Sequence, residues 1–290
     1  MLFYLILNGV LDLNAEAGAK CNQIEQQGNV MRIFCYRIQY ITDFNVNSDI
    51  EFVYESGDTY RQFTQIFIDT KLIKNQKIST VLSSKESVNF LSLCMVDSDV
   101  KIEDSQISVT VSKQTSVYYT ELIVSAREVK ILGSELQFTS AASLFFGGII
   151  ADLYQSLEVN STDVDFKLIT GDVGGGLVGY SVMFATINIM NLTAQLVLTA
   201  NMGFKNVLGS IVATTGVGMN IEINNSVIKS SLKAHLYEHV GSIIGNAFNK
   251  EVTVNIVNST FCVKGKYTKD GCATGTCTVN RVESTGPICK

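Results

Sequence analysis

Leu157-Glu158-Val159-Asn160-Ser161-Thr162-Asp163-Val164-Asp165-Phe166 decides the fold. Two apolar residues flank a polar one, a bend residue follows two positions later, and alternation resumes three positions after the bend. Equivalent stretches begin at Val100, Val129, Ile187, Ile221 and Val254, so one pattern of about 30 residues occurs six times between Val100 and Val263. Apolar-polar-apolar alternation marks a strand with one buried face. The bend position holds Asp104, Gly133, Ser161, Asn191, Asn225 or Asn258. Asp, Gly and Asn accept the left-handed backbone or close a local side-chain turn. Ser161 fits less well, and Asn160 beside it allows the bend to shift by one residue there. The strand-turn-strand offset never drifts, and a single inserted residue would turn every later side chain to the wrong face.

A third element lies between copies. It reads Gly147-Gly148-Ile149-Ile150, Gly175-Gly176-Leu177-Val178, Gly209-Ser210-Ile211-Val212 and Gly241-Ser242-Ile243-Ile244, with Leu91 to Val96 and Glu121 to Val124 in the same place without glycine. The insertions that vary the period all fall beside it. Three short strands per repeat, fixed in phase and separated by variable loops, predict a mainly β fold: a right-handed parallel β-helix, or solenoid, of about six to eight coils. A propeller blade needs about 40 or more residues and four strands, and a sandwich does not repeat in this way.

Gly175-Gly176-Leu177-Val178-Gly179 resembles the core of GLUG-type repeats, and the likeness covers roughly Phe146 to Asn246. Those repeats occur in large secreted and cell-surface proteins, including adhesins and some surface peptidases. The resemblance implies a β-solenoid, a surface location and a scaffold role, and it carries over no catalytic residue.

The chain has 290 residues, of which 46% are hydrophobic and 17% charged, so its surface must be rich in Ser, Thr, Asn and Gln. One proline and no tryptophan suit many ladder-paired strands. The net charge of −5 and the lack of a basic patch argue against nucleic acid as a partner. Leu2 to Leu11 is apolar and Ala15-Glu16-Ala17 is a small-x-small site, so residues 1–17 read as a signal peptide; the run is too short to span a bilayer. Residues 18–60 do not repeat and read as an N-terminal cap, residues 61–265 as the β-helix, and residues 266–290 as a Cys-containing tail.

Six of the seven cysteines gather at the ends: Cys21 and Cys35 in the cap, and Cys262, Cys272, Cys277 and Cys289 near the C-terminus. Cys94 reads as a core thiol. This distribution predicts disulfides at both ends of a rod in an oxidising compartment, with connectivity open. A zinc site at Cys272 and Cys277 is the rival, weakened by the four-residue spacing and the lack of a second close pair.

His235-Leu236-Tyr237-Glu238-His239 matches the H-x-x-E-H pattern of inverted zinc metallopeptidases and holds both histidines of the chain. On a helix, His235 and His239 would share a metal, with Glu238 as general base. The repeat leaves no room for a long helix there, and no acidic third ligand follows beyond Glu251 and Glu283, so a solvated loop is the expected reading. Sequons begin at Asn160, Asn191, Asn224 and Asn258, all at the bend, where Asn also belongs for turn reasons. Gly171 to Gly179 lacks the lysine-serine pair of a phosphate-binding loop. Asp163 and Asp165 point outward from one strand, and only Glu135 on a neighbouring coil adds an acid; polysaccharide hydrolases and lyases need carboxylates clustered on one face of adjacent coils, and a solvated strand face is the default reading.

The sequence therefore predicts a non-enzymatic, secreted or cell-surface β-solenoid that acts as an adhesin-like or scaffold protein. The expected partner is a macromolecule, protein or glycan, with no cofactor. The alternative is a carbohydrate-active enzyme on the same rod or, with less support, a zinc peptidase through His235, Glu238 and His239.

Overall fold

The computed structural model describes residues 21–27, 30–35, 39–42, 49–56, 66–69, 72–84, 88–94, 99–111, 117–140, 143–201, 206–235 and 239–283. Every regular element among them is a β-strand, and with one exception the strands pair in parallel. The fold is a parallel β-solenoid.

In-register stacking builds three main walls. On the first wall, Ile73, Ile102, Ile131, Val159, Ile189, Ile223 and Ile256 follow one another as direct partners. A second column beside it runs Val100, Val129, Leu157, Ile187, Ile221 and Val254. All of these side chains are at most 1% exposed. On the second wall the core column is Ile78, Ile107, Leu136, Val164, Ala194, Ile228 and Phe261. The third wall stacks Ile123, Ile150, Val178, Val212, Ile244 and Cys272. One coil cannot bury its aliphatic face alone; each covers the next at the sheet spacing of about 4.8 Å.

The bend between the first and second walls is a single left-handed residue in each coil: Asn75, Asp104, Gly133, Ser161, Asn191, Asn225 and Asn258 all have positive φ. Ser161 adopts φ 51° itself, so the bend does not shift to Asn160. In-register pairing on both sides of the bend leaves no slack for a shift.

The Gly-Gly-Leu-Val stretches make the corner that opens the third wall. A Cβ on Gly175 would lie 1.8 Å from the Val178 carbonyl oxygen, and one on Gly176 would lie 1.9 Å from the Ser210 carbonyl oxygen. Backbone meets backbone here, so no side chain fits. Leu177 and Val178, which follow, are fully buried. The corner amides bond from coil to coil, with Leu177 N–H donating to Ile211 C=O at 3.0 Å and Ile211 N–H to Ile243 C=O at 3.0 Å.

The solenoid has about five turns, fewer than the six to eight expected. The expectation counted the six copies together with one or two degenerate coils between about Gln62 and Ser83. A closed turn also needs the corner, and the corner ladder runs from Ile123 through Ile149, Leu177, Ile211 and Ile243 to Gly271. The tail is not separate from the coils. Cys272–Val282 pairs in parallel with Ile244–Val257 and supplies the third and first walls of the last turn. Arg281 ends the first-wall column, lies 5.9 Å from the Phe261 ring centroid and pairs with Asp270 at 3.4 Å, so its guanidinium covers the end of the core.

At the other end, Asp49–Ser56 joins the second wall through Ile50 and Ile78, and Val30–Cys35 pairs alongside it. Cys21–Gln27 then pairs antiparallel with Val30–Cys35. Residues 1–17 lie outside the described residues. No helix among the described residues is long and apolar enough to cross a membrane.

Candidate functional site

Alternation that sends Leu136, Val164 and Ala194 inward must send their neighbours outward. On the second wall this creates two ladders: Gln106, Glu135, Asp163, Thr193 and Val227, and Ser108, Gln137, Asp165, Gln195 and Lys229. From Glu135 to Lys229 these residues line a shallow groove of about 330 Å³. The three outward carboxylates picked from the sequence are thus brought together over adjacent coils.

Carboxamides engage the first of them. Gln106 Nε2 donates to Glu135 Oε2 at 3.3 Å, and Gln137 Nε2 donates to Glu135 Oε1 at 3.0 Å. Lys167 Nζ lies 3.7 Å from Asp165 Oδ2. The other oxygen, Asp165 Oδ1, is shielded from solvent and has no hydrogen-bond partner. An acceptor in that position has lost water without regaining a donor.

The histidines are placed differently from a metallopeptidase helix. His235 follows the strand Val227–Lys233, and His239 begins the strand His239–Gly241, so the two do not share one helix. The backbone N–H of His235 donates to Asn206 Oδ1, and Asn206 Nδ2 donates to Gly171 C=O, which ties this loop to an earlier coil. Glu238 lies outside the described residues. Among the described residues no three His, Cys, Asp or Glu side chains gather as a metal site.

Cys272 and Cys277 form a disulfide, which removes the zinc alternative for that pair. Cys262 is also disulfide-bonded. Cys21 and Cys35 are register partners in the antiparallel pair. Cys94 is the register partner of Ile123 on the third wall. Cys289 lies outside the described residues.

The four sequon asparagines divide into two kinds. Asn191 and Asn258 are the bend residues themselves, exposed and left-handed. Asn160 and Asn224 sit one residue before the bend and are half-buried.

The sequence reading missed a buried hydroxyl column just inside the bend. Ser105, Ser134, Thr162, Ser226 and Ser259 are each at most 5% exposed. The Ser134 hydroxyl donates to Leu132 C=O at 2.9 Å and accepts from Ser105 N–H at 3.2 Å; the Ser226 hydroxyl donates to Asn224 C=O and accepts from Leu192 N–H. These hydroxyls satisfy backbone groups that the bend withdraws from the ladder. The signal was legible, since Ser or Thr follows the bend residue in five of the six copies, with Leu192 as the interruption.

On the third wall, burial raises the pKa of the Asp152 carboxyl above its ordinary value. On the first wall, hydrogen bonds from Lys101 and then Lys74 hold Glu103 below the usual carboxylate range. No protein-family model, curated protein or solved structure matches this chain, so its fold assignment rests on the register and packing of its own strands.

Proposed function

We propose that this chain is a secreted or cell-surface solenoid built of GLUG-type repeats. In this reading it is an adhesin-like or scaffold protein that binds a hydroxyl-rich glycan along the second wall. The observation that carries it is the groove from Glu135 to Lys229, where the Asp165 carboxylate lies in register between the Gln137 and Gln195 carboxamides. Such a ladder offers donors and acceptors at the coil spacing, which suits a repeating polymer. The Gly-Gly-Leu-Val corners and the Cys272–Cys277 disulfide support the surface assignment.

The test has two arms. Surface proteolysis of intact cells should remove the protein, and survival of the full pool would reject the location. Binding to a panel of neutral and acidic glycans should fall at least tenfold in Asp165→Ala and Gln195→Ala; equal binding by variants and parent would reject the groove. A second reading has one observation in its favour, since Glu135, Asp163 and Asp165 line the same groove. A hydrolase or lyase would release shortened glycans with time, whereas a binding protein returns them intact. Protein ligands are scored by the same variants.

A further inference from the structure

We infer that Asn191 and Asn258 are the N-glycosylated residues of this chain, and that Asn160 and Asn224 stay unmodified. The inference rests on the secretory reading above and adds which sites are used. In the reaction an oligosaccharide passes from a lipid pyrophosphate donor to the Asn carboxamide. The C1–O bond to the pyrophosphate breaks, a C1–N bond forms, the amide loses one proton and the lipid pyrophosphate leaves.

The two kinds of sequon differ by one residue of phase against the coil. Where Asn is the bend residue, the sequon hydroxyl falls two positions later, at Thr193 or Thr260 on the second wall. Thr193 is exposed and Thr260 half-buried. Where Asn precedes the bend, the hydroxyl falls into the buried column, at Thr162 or Ser226, each 1% exposed. Thr162 Oγ1 donates back to the carbonyl of Asn160 at 3.0 Å, and Ser226 Oγ donates to the carbonyl of Asn224 at 2.7 Å. The Asn160 carboxamide oxygen also accepts from Ser161 Oγ and from Asn191 Nδ2. A glycan on Asn160 or Asn224 would have to leave from a half-buried side chain in the first-wall ladder. On Asn191 or Asn258 it leaves from an exposed bend residue. A modified Asn191 keeps one N–H, enough to hold its bond to Asn160. Two coils separate the sites, about 10 Å along one edge of the rod. The Asn191 glycan would stand two residues from Thr193, at the margin of the groove.

The full chain, secreted from a eukaryotic host behind an appended leader, is treated with an amidase that converts glycosylated Asn to Asp in heavy-oxygen water, and its peptides are mapped by mass spectrometry. The expected result is label at positions 191 and 258 and none at 160 and 224. Label at 160 or 224 equal to that at 191 or 258, or folded secreted protein with no label, overturns the inference. Thr193→Ala and Thr260→Ala each remove one sequon without touching the bend, and each should abolish one label. Because the leader is supplied, this experiment reads site choice alone. Failure of the surface reading is seen separately, in the intact-cell proteolysis.

Discussion

Gly176→Ala tests the corner on which the winding depends. The added Cβ would lie 1.9 Å from the Ser210 carbonyl oxygen and 2.9 Å from a Leu196 methyl group. Contacts under 3.0 Å essentially do not occur, so two adjacent coils must separate locally by roughly 1 Å. The bonds that join them there are Gly176 N–H to Gly209 C=O at 3.1 Å, Leu177 N–H to Ile211 C=O at 3.0 Å and Val178 N–H to Ile211 C=O at 2.9 Å. Stretching all three beyond hydrogen-bond range, at about 1 kcal/mol each, destabilises the fold by about 3 kcal/mol before any loss of packing. Gly216→Ala is the matched control. Its nearest neighbours would all belong to the Tyr180 side chain, the hydroxyl at 2.4 Å and the ring carbon bearing it at 3.4 Å, and the end of a side chain can swing aside. That variant should stay within about 1 kcal/mol of the parent, helped by lower entropy in the unfolded chain. Urea unfolding followed by circular dichroism reads both. Equal midpoints for Gly176→Ala and the parent would refute the reasoning, as would a greater loss in Gly216→Ala.

Ser134→Ala removes a buried hydroxyl and leaves Ser105 N–H without its acceptor, so it should cost about 1–3 kcal/mol in the same assay. Asp152→Asn concerns pH. Because the folded pKa is raised, the native state holds more protons than the unfolded one, and the parent loses stability as pH rises from the ordinary Asp value through the folded one. The variant should lack that loss and gain on the parent at neutral pH, which unfolding titrations at acidic and neutral pH will show. Cys277→Ser opens a loop of sequence separation 5 and should lower stability by about 2 kcal/mol under non-reducing conditions, with no difference from the parent after reduction.

Much of the fold was legible because alternation is local. The pairs Val129/Ile131, Leu157/Val159 and Ile187/Ile189 each announce an inward face, and the residues after them announce the bend; all of these are placed as read. The residues of the groove were legible one strand at a time. Their alignment followed from the repeat phase, and Glu135, Asp163 and Thr193 are direct register partners although loops of unequal length separate them. The Cys-containing tail was legible from its cysteines and is present, with Cys272 and Cys277 bonded; that Cys272–Val282 winds as a strand on Ile244–Val257 was not, because its few apolar residues give no clear alternation.

The sequence by itself determined the phase of each strand, the left-handed bend and the glycine corners, since these depend on neighbours a few residues apart. The tertiary structure alone decided what lies above and below each residue. It stacked Ser105 on Ser134, set Arg281 over Phe261 and placed Asn191 outside the coil but Thr162 inside. Partners about 30 residues apart are chosen by coil register, and register is a property of the packed rod rather than of any single turn.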